Sequence, residues 1–165
     1  RWLSYEAIRD WLPHRRDVVK TPLASTEGTV IETAVPLLAV PMFPGGLQLW
    51  EGARQVLPSA ELCLGGLPEA IEAQAGVVLL LDQIRQGDEL IELLQHLEQL
   101  GVEAPRLRVI TALTASPGLK RIGETYPEIT IHTACIDADL DEQGRILPGI
   151  GDPLQRLGIR TAQPH

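Results

Sequence analysis

Positive charge is scarce in this chain: 14 Lys and Arg stand against 22 Asp and Glu, giving a formal net charge of −8. Phosphate backbones are held by clustered Lys and Arg, so a nucleic-acid binder is excluded, and a basic partner fits better. Cysteine is nearly absent. Cys63 and Cys135 both lie in apolar stretches without metal-ligand spacing, and they read as core thiols of a protein in a reducing compartment. No apolar run reaches the roughly 18 residues of a membrane span, and no signal peptide heads the chain. The start at Arg1, without Met, leads us to expect a preceding segment and a location in the cytoplasm, or in an organelle stroma if a transit segment was removed. Ser4, Ser25, Ser59 and Ser116 have no G-x-S-x-G context, and no arrangement of Cys, His and acid is readable, so nucleophilic catalysis has no support. Asp137, Asp139, Asp141 and Glu142 lack the glycine and terminal-glutamate spacing of a calcium loop.

What is present is a chain of 165 residues, 44% hydrophobic, long enough to bury a real core as one domain over residues 1–165. From Val35 onward apolar runs alternate with amphipathic stretches, the pattern of a mostly parallel α/β sheet flanked by helices. The pattern predicts strands over Thr29–Val35, Leu38–Phe43, Ala60–Gly65, Val77–Leu81, Leu107–Leu113 and Ile129–Thr133. It predicts helices over Leu47–Leu57, Glu89–Leu100 and Pro117–Thr125. Between Asp137 and Gly158 five Gly and Pro residues interrupt any periodicity, which predicts an ordered loop followed by a short terminal element.

The stretch VVLLLDQIRQGDELIELLQHLEQLG, Val77 to Gly101, has the layout of a nucleotide-binding strand, turn and helix. Leu90, Leu93, Leu94, Leu97 and Leu100 are spaced for one buried face. Its turn, however, offers Gln83, Arg85, Gln86, Asp88 and Glu89 with Gly87 as the one glycine. Asp82 reads as a helix cap rather than a ribose or magnesium ligand. His132, in an apolar strand, reads as a satisfied core or interface histidine, and His96 as solvated. Trp50 has a core or subunit-contact role by default, and Arg15, Arg16 and Lys20 read as a solvated turn.

Three stretches resemble the uracil phosphoribosyltransferase family. YPEITIHTACIDADLDEQGRILPGIGD, Tyr126 to Asp152, is similar to its C-terminal uracil loop; PMFPGGLQLWEGARQVLPSA, Pro41 to Ala60, follows its P-I-L-R-A-G-L-G-M strand and helix; LSYEAIRDW, Leu3 to Trp11, matches its L-T-Y-E-A-T-R-D. The resemblance implies a phosphoribosyltransferase-like sheet with a C-terminal base-loop segment. It also implies a reaction joining uracil to phosphoribosyl pyrophosphate, with magnesium on the pyrophosphate. The matching base-loop residues are Ile146, Gly149, Gly151 and Asp152, and Asp82 and Gly87 mark the phosphate loop.

Four parts depart from the family. Its phosphate loop D-P-M-L-A-T-G-G-S, built of small residues whose N–H groups surround an anion, corresponds to the acidic stretch Asp82 to Glu89. Its R-A-G is replaced by Pro44, Gly45 and Gly46, and Gly66 to Gly76 is too short for its covering hairpin. Pro153 replaces a family Ala and removes an N–H beside the base. The expectation is a family fold without phosphoribosyl transfer, with no catalytic residue or metal ligand assigned. Magnesium would enter only if phosphoribosyl pyrophosphate is still bound. Such a chain would serve as a structural, regulatory or assembly subunit through a protein partner, as a homodimer or within a larger assembly. The alternative is a divergent enzyme making uridine monophosphate, or a weak sensor of uracil or uridine monophosphate.

Overall fold

Gly76–Ile84 forms the central strand of a five-stranded parallel sheet, and six of its first residues are buried because helices cover both faces. The computed structural model describes residues 1–32 and 34–160. In chain order the elements are α1 (Trp2–Arg9), β1 (His14–Lys20), β2 (Ser25–Ile31), β3 (Leu37–Pro41), α2 (Gly46–Ala53), β4 (Glu61–Leu62), β5 (Gly76–Ile84) and α3 (Asp88–Gln99). After a 3₁₀ turn at Ala104–Arg106 follow β6 (Leu107–Ala115), α4 (Ser116–Thr125), β7 (Ile131–Asp137), β8 (Asp139–Leu140), β9 (Ile146–Leu147) and α5 (Pro153–Arg156). The sheet order is β4-β3-β5-β6-β7, every neighbouring pair being parallel.

Alternate residues of the strands feed two cores. Val77, Leu79 and Leu81 pack with Leu90, Leu94 and Leu97 of α3 and Ile122 of α4 on one face. Val78 and Leu80 pack with Ala7 and Ile8 of α1 and Trp50 and Ala53 of α2 on the other. Trp50 is therefore a core residue. The α/β class and the parallel sheet agree with the sequence pattern, and among the described residues no helix is long and apolar enough to cross a membrane.

Several expectations need correction. The first strand runs over Ser25–Ile31, not Thr29–Val35, and pairs with β1 as an antiparallel hairpin outside the main sheet; residue 33 lies outside the described residues. Arg15, Arg16 and Lys20 lie in strand β1 rather than a turn. That hairpin escaped the pattern because both of its faces are largely exposed, so no apolar alternation marks it. Its ends are linked instead by ion pairs such as Arg16 with Glu27 and Arg15 with Glu32. Cys135 is exposed on edge strand β7 and Cys63 is half-buried, so neither is a core thiol, and both are free. The 137–158 segment is ordered as expected: β8 and β9 form a small hairpin, then the short helix α5 follows.

Candidate functional site

β5 and the turn after it are held by two close backbone approaches. A Cβ at Gly46 would lie 2.1 Å from the Leu80 carbonyl oxygen, which presses the start of α2 onto the middle of β5. A Cβ at Gly118 would lie 2.1 Å from the Arg85 carbonyl oxygen, so the first turn of α4 is wedged against the 85–87 turn. Gly87 adopts φ +88° and is the N-cap of α3; left-handed backbone at this point favours glycine. No side chain caps the helix. Asp82 therefore is not the expected cap: β5 runs on to Ile84, and the Asp82 carboxylate accepts the N–H of its neighbour Gln83 at 2.9 Å. Its side chain occupies the space above Gly45, where an added Cβ would lie 2.5 Å from Oδ2. The structure thus brings Asp82 to the loop that corresponds to the family's pyrophosphate segment.

Asp88 and Glu89 form the acidic first turn of α3. Asp88 meets Arg121 of α4 at 2.5 Å in a half-exposed ion pair, a contact that sequence reading missed because nothing in the spacing of the two residues announces it. Carboxylates suit a helix N-terminus, where they favour the helix by about 0.3–1 kcal/mol. They also place negative charge at the turn where the family resemblance implies a phosphate loop. A cavity of about 210 Å³ opens here, lined by Gln83, Arg85, Gln86, Gly87, Asp88 and Glu89 and closed on one side by Gln143 and Gly144. The tip of the β8–β9 hairpin leans over the turn closely enough that a Cβ at Gly144 would lie 3.0 Å from Gln86 Nε2.

That hairpin tip is fixed by Asp141. Its carboxylate accepts the backbone N–H of Arg145 at 2.8 Å and of Gln143 at 3.0 Å, and Arg145 Nε at 2.6 Å. These bonds, the Arg145 backbone N–H first, hold the carboxyl below its usual range against an opposing burial effect. Ile146 is buried beside Leu113 and Ala115. Gly149 takes φ +60° and its N–H donates to Asp137 Oδ2 at 2.9 Å. A Cβ there would lie 2.1 Å from the Ile146 carbonyl oxygen, so only glycine fits. Gly151 also has positive φ. Asp152 is turned to its own helix, accepting the N–H of Leu154 at 2.9 Å. Pro153 sits at the first position of α5, where a backbone N–H has no intrahelical partner in any case.

His132 departs from its expected role. Its Nδ1 is buried with no hydrogen-bond partner among the described residues, and burial together with the nearby Arg108 cation lowers its pKa below the ordinary value.

The family's sequence profile, described as uracil phosphoribosyltransferase, matches residues 61–157. The relative with that name in Synechococcus elongatus is 38% identical over 173 residues, covering 95% of this chain and 80% of its own. This chain belongs to the uracil phosphoribosyltransferase family. The relative so named in Nostoc sp. is 34% identical over the same shares of the two chains. The chloroplastic uracil phosphoribosyltransferase of Arabidopsis thaliana is 28% identical, covering 98% of this chain and 60% of its own. Among solved structures, the AQ2163 protein from Aquifex aeolicus superposes with a TM-score of 0.76 at 28% identity, covering 94% of this chain and 80% of that one.

Magnesium pyrophosphate is the group implied by the family resemblance. Pro44 offers no donor where the family has arginine, and the Asp88 carboxylate is engaged with Arg121.

Proposed function

We propose that this chain keeps the uracil phosphoribosyltransferase scaffold without phosphoribosyl transfer and acts as a structural, regulatory or assembly subunit through protein contacts. The observation that carries this reading is the first turn of α3. Asp88 and Glu89 line the cavity where the family's phosphate loop presents glycine and serine. A carboxylate about 4 Å from a phosphate charge costs about 4 kcal/mol at an effective dielectric of 20. The helix dipole recovers about 1 kcal/mol at most in an exposed setting, and Arg121 already faces Asp88. The test is an assay for uridine monophosphate from uracil, phosphoribosyl pyrophosphate and magnesium, paired with calorimetry for each ligand. We expect no product and no heat from phosphoribosyl pyrophosphate; turnover would overturn the reading.

A second reading, a divergent enzyme or a weak sensor of uracil or uridine monophosphate, is favoured by the base loop. The left-handed glycines at Gly149 and Gly151 and the Gly149–Asp137 bond hold that loop in a defined shape, and the relatives carry the enzyme's name. Uracil binding in calorimetry without product formation would select the sensor.

A further inference from the structure

A second hollow, larger than the first, lies away from the turn at Asp82 to Glu89. It sits where α3 ends, β6 begins and α4 runs into Tyr126–Ile129, and its volume is about 480 Å³. Because β5 and β6 are parallel, the start of β6 lies at the opposite end of the sheet from the turn that follows β5. The 12 residues of α3 separate the two by about 18 Å. Its apolar lining is the lower end of one core: Leu94, Leu97, Val102 and Leu107 are buried, and Ile129 is half-exposed beside them.

The rim carries one sign of charge. Glu98, Glu103 and Glu128 are all exposed around the hollow, and no Lys, Arg or His lines it. The C-terminal ends of α3 and α4 point at the same place, adding the negative ends of two helix dipoles. Arg106 stands nearby but is held by carbonyl oxygens: Nη1 donates to Gly101 and Nη2 to Glu72 at 2.7 Å and Ala75 at 2.8 Å. The three carboxylates therefore have no cation of this chain among the residues that line the hollow. Apolar floor and acidic rim together match one ligand chemistry, an apolar side chain flanked by cationic ones.

We infer that this hollow is a docking groove for a short segment of a partner protein that places an aliphatic side chain between Lys or Arg residues. The groove would read the aliphatic side chain by burial and its flanks by charge, the pattern of an interface with a desolvated centre and a polar rim. The inference deepens the protein-contact reading and rests on it for the kind of ligand, but the groove itself takes no part in phosphoribosyl chemistry.

The probe is a fluorescein-labelled Arg-Leu-Lys-Leu-Arg peptide, titrated against the full chain by anisotropy and followed by amide NMR shifts. Arg-Gly-Lys-Gly-Arg and Glu-Leu-Glu-Leu-Glu peptides serve as controls. We expect saturable binding of the first peptide, with shifts at Val102, Ile129 and their neighbours, and at least tenfold weaker binding of both controls. The triple variant Glu98→Gln, Glu103→Gln, Glu128→Gln changes only exposed side chains and leaves the fold intact, and it should weaken binding at least tenfold. Equal binding of the glycine peptide, shifts elsewhere, unaltered affinity of the triple variant, or no binding at all would overturn the groove. None of these outcomes bears on turnover. The uridine monophosphate assay can fail the functional reading while the groove stands, and the peptide titration can fail the groove while that reading stands.

Discussion

A methyl group added at Gly46 would have to displace the Leu80 carbonyl, and one added at Gly118 the Arg85 carbonyl, each from 2.1 Å. Leu80 is backbone in the middle of the central strand and Arg85 is backbone in the turn just after it, so neither can yield without moving the strand or its turn. We expect Gly46→Ala and Gly118→Ala each to destabilise the fold by about 1–3 kcal/mol, as overpacking does, read from urea midpoints. A loss below a few tenths would mean that the loops relax freely. A second prediction at this scale concerns His132. Its pKa lies below the ordinary 6.5 because of partial burial, with the nearby Arg108 adding to the effect and Glu6 partly opposing it. The unfolded chain then binds the proton at higher pH than the folded one, so stability from this residue is complete above about pH 6.5 and is lost as pH falls below it. Urea midpoints of the wild type should drop between pH 7.5 and 5.5 by more than those of His132→Leu. Parallel drops would remove the histidine from the account. Asp141 has the opposite history, a lowered carboxyl whose contribution is present above its ordinary 3.8 and lost only as pH falls further.

Between elements, Arg106 does work that no motif advertises. It sits in the 3₁₀ turn before β6, and its guanidinium donates to carbonyls of Gly101, Glu72 and Ala75, tying the 66–76 connection to the end of α3. Hydrogen bonds to a charged group contribute about 1.5–3 kcal/mol each when partly shielded. Arg106→Met should therefore destabilise by about 2 kcal/mol and open the 66–75 segment to proteolysis first. Uniform protection of that segment in a limited-proteolysis time course would contradict the clamp. This is also where the sequence was least legible. Strand β5 could be read as a continuous apolar run because both of its faces are buried, and helix α3 because burial on one side imposes a period of 3.6 on its apolar residues, as Leu90, Leu94 and Leu97 show. The β1–β2 hairpin imposes no such period, and the Asp82 carboxylate, expected as a cap, lies two residues inside its strand because parallel pairing with β6 continues to Ile84. The base loop was marked in the sequence by its family resemblance and by Gly and Pro that break the periodicity, and the structure shows positive φ at Gly144, Gly149 and Gly151. The Asp88–Arg121 pair and the cover provided by Gln143 and Gly144 were not, since they join residues from separate elements.

At the scale of the whole molecule, the proposed loss of transfer rests on departures at several separate places, and that determines how the chain should respond to repair. The anion site is acidified at Asp88 and Glu89, the 43–46 loop has Pro44 where the family has arginine, and the 66–76 connection is short. Asp88→Asn with Glu89→Gln removes two negative charges from the cavity and frees Arg121 from its partner. At intermediate dielectric even one such charge a few ångströms away is worth more than the 1.4 kcal/mol of a tenfold change in affinity. We therefore expect the double variant to bind inorganic phosphate at least tenfold more tightly than the wild type, with amide NMR shifts centred on Gly87. The same variant should still form no uridine monophosphate, because a phosphate held at α3 meets neither an arginine for the leaving group nor a cover that excludes water. Tighter phosphate binding with restored turnover would place the whole defect in two carboxylates. Unchanged phosphate binding would show that the turn's shape, and not its charge, keeps anions out.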